Sequence, residues 1–214
     1  MPYSFEFLVD NNVTFQCALQ SQKCIETSKQ TGIMCKRTTI IGTPYCWTHL
    51  LYKKRLRIKP STIPAAGNGL FAQNTIRPGN DPPTIIFKKN DTIIEYKGER
   101  INLNRLNQRY DTHSDKGRTI KHTAPYGMSI TNDLYIDSAC KRGVGSLANH
   151  KSRKDANAEI KYIYAVNENN RRGPKVGIKI VALRDIKNGE EIFISYGRSY
   201  KRKKNETHRT RKKR

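Results

Sequence analysis

Three cysteines and a histidine stand at even intervals near the amino terminus. Ten residues separate Cys24 from Cys35, ten separate Cys35 from Cys46, and two separate Cys46 from His49. Three thiolates and one imidazole make a closed tetrahedral donor set of the kind that binds structural zinc. Gly32 and Gly42, a few residues ahead of Cys35 and Cys46, let the chain bend towards a shared ion. The segment from Cys24 to Leu50, about 25 residues, has too little apolar surface to fold without such a staple. The alternative reading is three buried thiols, since a free cysteine packs as a small hydrophobe. Cys17 is out of register with the set and reads as a bystander, and Cys140 stands alone in the second half of the chain.

Further along, four runs carry flexible or hydrogen-bonding groups in a fixed order. They are Gly67-Asn68-Gly69-Leu70-Phe71-Ala72, Glu95-Tyr96-Lys97-Gly98-Glu99 with the later Tyr135-Ile136-Asp137-Ser138, the pair Asn149-His150, and Gly189-Glu190-Glu191-Ile192-Phe193-Ile194-Ser195-Tyr196-Gly197. Each alone is a weak sign. A Gly-x-Gly is more often a tight turn than a ligand loop, and a tyrosine in a strand is more often a packed aromatic than a catalyst.

The elements that must position these groups read as mostly β. Thr84–Phe87, Thr92–Tyr96, Val176–Leu183 and Glu191–Tyr196 are short and rich in β-branched or aromatic residues. Turns are expected at 78–83, at Lys97-Gly98, at Arg171-Arg172-Gly173-Pro174 and at Lys187-Asn188-Gly189. Leu103, Leu106 and Tyr110 fall at helical spacing, which predicts a short amphipathic helix at the start of 103–121 and loop after it.

The chain has 214 residues, 41 Lys plus Arg against 18 Asp plus Glu, and a formal net charge of +23, so a polyanionic partner is the first inference. With 36% hydrophobic residues it can build a core, which argues against full disorder. There is no apolar run of about 20 residues and no signal-peptide pattern at the amino terminus, so a soluble, intracellular protein is expected. The odd number of cysteines, five, does not suggest a disulfide framework. From Arg198 to Arg214 there are ten basic residues and one acidic, a net +9. This run should be mobile for want of apolar surface, and it reads as a solubilising tail, a nuclear-import signal or a nucleic-acid contact.

The four runs, in this order and spacing, resemble the SET-domain protein lysine methyltransferases from about Leu56 to Tyr200, and the small size resembles viral or protist members with an added Cys3His zinc module. The resemblance implies an α+β, mostly β fold of several small curved sheets with a carboxyl-terminal pseudoknot. The expected organisation is an amino-terminal segment (1–23), a zinc module (24–52), the SET domain (53–200) and a basic disordered tail (201–214). By the family pattern Gly67, Asn68, Gly69, Asn149 and His150 bind S-adenosylmethionine, while Tyr196 and, ahead of the Tyr135 strand, Tyr126 are catalytic. Cys24, Cys35, Cys46 and His49 hold zinc. The implied activity is methyl transfer to lysines of histone tails in the nucleus, which is a host nucleus if the chain is viral. DNA or nucleosomes are contacted through the tail.

The family commonly has Arg-Phe-x-Asn-His-Ser-Cys where this chain has Ser146-Leu147-Ala148-Asn149-His150-Lys151-Ser152. A divergent active enzyme and an inactive chromatin or nucleic-acid adaptor both fit that departure. A basic histone tail also calls for a neutral or acidic groove, with Glu95, Glu99, Asp111 and Asp115 the nearest carboxylates in sequence.

Overall fold

Asp10 and Asn11 both take left-handed backbone angles (φ 48° and 63°). That geometry closes a tight hairpin between β1 (Tyr3–Val9) and β2 (Asn12–Leu19), which pair antiparallel. The computed structural model describes residues 3–19, 22–27, 31–39, 43–74, 84–111, 123–197 and 206–212. The 78–83 turn, Asp115, Tyr200 and residues 201–205 lie outside them.

After the hairpin, isolated bridges Lys23↔Thr38 and Thr27↔Met34 fold the cysteine segment back on itself. It leads into α1 (Trp47–Lys54), which is closed by Arg55 in a left-handed cap. Leu50 of α1 is fully buried in the main core, so the module is docked on the domain rather than tethered to it.

The next elements are β3 (Leu56–Pro60), β4 (Asn68–Ala72), β5 (Ile85–Phe87), β6 (Thr92–Tyr96) and β7 (Glu99–Asn102). The predicted helix is α2 (Leu103–Tyr110). The Asn102 side chain caps its first turn by accepting from Arg105 N, and Leu106 and Tyr110 are buried. Then come β8 (Gly127–Ser129), β9 (Leu134–Asp137), a single 3-10 turn (Val144–Leu147) and β10 (Asn149–His150). The chain ends with β11 (Ala158–Val166), β12 (Arg172–Ala182), β13 (Ile186–Lys187), β14 (Phe193–Ile194) and β15 (Glu206–Lys212).

Among the described residues these strands form five small sheets, the largest in the order β10-β14-β11-β12-β6. In it β14 lies parallel to both β10 and β11. Because β10 and β11 are consecutive in sequence, the connection 151–157 passes over a strand that arrives more than thirty residues later, which is the expected knot. The main core gathers Leu56, Leu70, Ile180, Ile192 and Ile194, all fully buried, from the strands around this knot.

Within the expected amino-terminal segment, Phe5, Phe7 and Leu19 pack against Ile101, Leu106, Tyr110 and Ala139 in a second core. Three expectations need correction. Cys17 is not a bystander and Cys140 does not stand alone: they form a disulfide across 123 residues, brought together as β2 lies on that core. The tail is not unordered throughout, since Glu206–Lys212 pairs antiparallel with β1, whose second edge supplies the backbone partners that the tail's side chains could not replace. The 171–174 turn falls earlier. Asn167 accepts the Arg171 N–H on its side chain at 2.7 Å, Asn170 takes φ 56°, and Gly173-Pro174 already lie within β12.

Candidate active site and metal centre

β3 and β4 are an antiparallel pair whose connecting loop returns through Gly67 at φ 73°, a left-handed angle that suits glycine. A side chain at Gly67 would meet nothing within 4 Å, so this stretch of backbone borders open space that a ligand could approach closely. Gly69 is different. A Cβ there would lie 2.1 Å from Glu191 Oε1 and 3.2 Å from Asn149 Nδ2, so this glycine makes room for two polar side chains beneath the turn.

The knot brings the other expected residues to the same place. Asn149 and His150 form β10, directly beside β14, and Tyr196 follows two residues after β14. Asn149 Nδ2 donates to Asn68 O at 3.2 Å, joining the glycine turn to the Asn-His pair. The Tyr196 N–H donates to His150 Nδ1 at 3.1 Å, and the two rings lie 5.1 Å apart. The Tyr196 hydroxyl donates to Ala148 O at 2.9 Å, which fixes the ring against the residue just before Asn149. Gly67, Asn68, Gly69, Asn149, His150 and Tyr196 thus converge.

Tyr126 lies beside Tyr96, which also neighbours Tyr196. The Tyr126 ring packs edge-on against Phe5 at 5.4 Å with the Arg142 guanidinium 4.9 Å above it, on the side of the amino-terminal hairpin. The sequence reading did not assign Tyr96 to the site. Tyr96 is buried, and its hydroxyl donates to Tyr126 O at 2.8 Å. Burial, reinforced by the neighbouring Tyr196, Asp137 and Tyr126, pushes the Tyr96 phenol well above its ordinary pKa, so it stays a neutral donor.

Two more residues were missed. Glu191 is buried and accepts from Ser61 Oγ (2.7 Å), Thr62 N (2.7 Å), Thr62 Oγ1 (2.6 Å) and Asn149 Nδ2 (3.0 Å). Burial alone would raise its pKa, but these donors, Thr62 and Ser61 foremost, outweigh it and hold the carboxyl below its usual value. Asn157 donates to Glu191 O and accepts from Phe193 N, both at 2.8 Å, and so ties the connection to the strand it crosses. The signal for both was the knot, and only the fold gives it.

Two of the carboxylates expected in the groove, Glu95 and Glu99, form ion pairs. Glu95 pairs with Lys97 at 3.0 Å, and Glu99 with the buried Arg109 at 2.8 Å. Arg109 also pairs with Asp137 at 2.6 Å, which makes Asp137 a structural anchor of α2 on β9.

Cys24, Cys35, Cys46 and His49 are brought together as expected, with all four donor atoms within 4.8 Å of one another. Cys24 Sγ is 3.2 Å and Cys46 Sγ 3.5 Å from His49 Nδ1, and the Cys35 and Cys46 sulfurs are 3.9 Å apart. A tetrahedral ion with Zn–S of about 2.3 Å and Zn–N of about 2.0 Å sets donor separations of about 3.5–3.8 Å, so the residues fit a metal. The Cys46 N–H donates to Cys24 Sγ at 3.3 Å, a contact suited to a thiolate.

A knotted set of small sheets with a glycine turn, an Asn-His strand and a Tyr-Gly end packed against one another defines a SET-type domain. The SET domain family model matches residues 83–197, more than half of the chain, and the protein belongs to that family. A histone-lysine N-methyltransferase EZH2 of Chaetomium thermophilum is 28% identical over 151 residues, 69% of this chain and 8% of that protein. An H3 lysine-36 specific histone-lysine N-methyltransferase of Chaetomium globosum is 31% identical over 110 residues, 51% of this chain and 11% of that protein. A crystal structure of the Chaetomium thermophilum polycomb repressive complex 2 overlaps with a TM-score of 0.49 at 26% identity, covering 69% of this chain and 16% of that one. The chain therefore spans only a small fraction of the length of these relatives. No helix among the described residues is long and apolar enough to cross a membrane.

Proposed function

We propose that the chain is an S-adenosylmethionine-dependent protein lysine N-methyltransferase whose substrate is a lysine of a histone tail. The observation that carries this reading is the convergence of the glycine turn, Asn149-His150 and Tyr196 on the two sides of the knot, joined by the Asn149–Asn68 and Tyr196–His150 hydrogen bonds. When bound, S-adenosylmethionine supplies a methyl group on a sulfonium.

The protein's share is positioning, because in-line transfer to an amine needs no strong nucleophilic side chain. The Gly67 backbone borders the space for the cofactor. The Tyr196 hydroxyl commits its hydrogen to Ala148 O, and its oxygen then accepts an N–H of the incoming amine. Lysine must arrive neutral, and at pH 7 only on the order of one free amine in a few thousand is. The apolar wall around Tyr196, formed by the main core, disfavours the charged ammonium and so raises that fraction.

The Cys3His cluster holds a structural zinc ion that stabilises the docked module. The basic carboxyl-terminal run contacts nucleosomal DNA and directs the protein to the nucleus. The changed residues around Asn149-His150 motivate a second reading, an inactive SET-like adaptor that binds chromatin or nucleic acid. Labelled methyl transfer to nucleosomes and free histones separates the two. Transfer by the wild type that is lost in Gly67→Trp supports the enzyme, whereas salt-sensitive DNA binding without transfer or cofactor binding supports the adaptor.

A further inference from the structure

Asn149 spends both hydrogens of its side-chain amide inside the protein, one on Asn68 O at 3.2 Å and one on Glu191 Oε1 at 3.0 Å. The orientation of an asparagine amide is ordinarily an assignment made from its neighbours. Here the neighbour decides it. An ionised carboxylate can only accept, as can a backbone carbonyl, so the nitrogen must face both and Oδ1 must face away from them. Glu191 is ionised through the neutral range, because its four donors hold its pKa below the usual carboxylate value.

The same carboxylate grips the other side of the glycine turn. Oε2 takes the Thr62 N–H and hydroxyl, and Oε1 takes the Ser61 hydroxyl, which itself receives the Ile63 N–H at 3.1 Å. Ser61 N in turn donates to Gly67 O at 2.8 Å, so the pull on Ser61 reaches the open backbone at Gly67. The absence of a side chain at Gly69 is what lets the carboxylate sit there.

We propose that Glu191 is a positioning residue for cofactor binding: it locks the Asn149 amide with its oxygen turned away from the carboxylate, and it fixes the Ser61–Gly67 loop. The role rests on the methyltransferase reading, since a fixed acceptor selects a donor such as the ammonium group of an amino-acid-bearing cofactor. The effect of losing Glu191 then falls on cofactor affinity and leaves the histone KM unchanged.

The test uses the full chain loaded with metal and has two readouts. In ligand-free wild type, the Asn149 side-chain amide protons are expected to give slowly exchanging NMR signals that shift as Glu191 titrates, and to lose that protection in Glu191→Gln. By calorimetry, Glu191→Gln is expected to weaken S-adenosylhomocysteine binding at least tenfold. Combined with Asn149→Asp it should bind more tightly than Asn149→Asp alone, because the substituted amide can donate where the native carboxylate would repel. A purely structural role predicts a lower melting temperature, additive variants and normal affinity of the folded fraction, and would overturn the proposal. Should Glu191→Gln not fold, the wild-type titration decides: Asn149 amide signals that exchange freely and ignore the carboxyl overturn it. Wild type that binds no S-adenosylhomocysteine overturns the methyltransferase reading and this role with it, whereas equal binding by wild type and Glu191→Gln overturns the positioning role alone.

Discussion

Asn157 and Phe193 hold each other at the crossing of the knot: the Phe193 N–H donates to Asn157 Oδ1 at 2.8 Å, and the Asn157 N–H donates to Phe193 O at 3.2 Å. The Asn157 amide also donates to Glu191 O, so one buried side chain satisfies a donor and an acceptor on the threaded strand. Asn157→Ala leaves both unpaired in a region closed to water, at a cost of about 2–4 kcal/mol. Asn157→Asp keeps the acceptor for Phe193 but sets a buried carboxylate against Glu191 O and beside Glu190, and should cost at least as much. Denaturant unfolding of the two variants against wild type checks the order, and equal stability of Asn157→Ala and wild type would remove Asn157 from the knot's supports.

The Cys17–Cys140 disulfide predicts a thiol count. Under denaturing, metal-free and non-reducing conditions three thiols should react, Cys24, Cys35 and Cys46, and after reduction all five. Cys17→Ser or Cys140→Ser should lower stability by about 2–5 kcal/mol, because the bond closes a long loop in the unfolded chain. Five reactive thiols before reduction would mean that the hairpin is held by packing alone.

The sequence exposes what is local and hides what the knot assembles. The strands at Thr92–Tyr96 and the helix at Leu103 are legible because the period of apolar residues is set by the element itself. So are Cys24, Cys35, Cys46 and His49, whose spacing is short enough for one small module. Glu191 reads as one more acid in a Gly-Glu-Glu run, and its partners Ser61 and Thr62 lie about 130 residues away. Cys17 pairs across a similar distance, and no spacing rule reaches that far. The ordered tail strand was hidden for another reason. Its backbone pairs with β1, and polar composition only says that side chains cannot drive the pairing.

Metal removal should loosen the module first. The purified chain is expected to contain about one zinc per molecule. Its removal by chelation should lower the melting temperature and expose Cys24 and Cys46, which are buried in the native state. Cys35→Ser should reduce metal content and stability while leaving residues 84–197 folded. A chain that is metal-free, fully stable and protected at these thiols would return the cluster to three packed cysteines.

Tyr196→Phe removes one hydroxyl and one hydrogen bond, to Ala148 O. Stability should fall by only about 1 kcal/mol. Methyl transfer should fall far more, by roughly a hundredfold or more, because a group that orients the reacting amine is lost. S-adenosylhomocysteine affinity should stay near that of wild type. Equal turnover by Tyr196→Phe would move the catalytic hydroxyl to another residue.

Acid stability gives a separate check on Glu191. Its native pKa lies below the ordinary value of 4.5, held there by Thr62, Ser61 and Asn149 against the opposing effect of burial. Above about pH 4.5 the carboxyl is ionised in both the folded and unfolded chain, so its contribution to stability is fully present. Between that pH and its lower native pKa the unfolded chain binds a proton that the native chain does not. Stability therefore falls as the pH drops, and the contribution is gone once the native carboxyl is protonated too. Glu190, whose pKa is also held down, opposite Arg184, adds to the same limb, so the wild-type profile alone does not isolate Glu191. The comparison that does is Glu191→Gln against wild type by denaturant unfolding from pH 7 to pH 3. The stability gap between them should be constant above pH 5 and should narrow below pH 4.5. A gap that stays constant to pH 3 would mean that the Glu191 side chain acts there through its shape and not its charge.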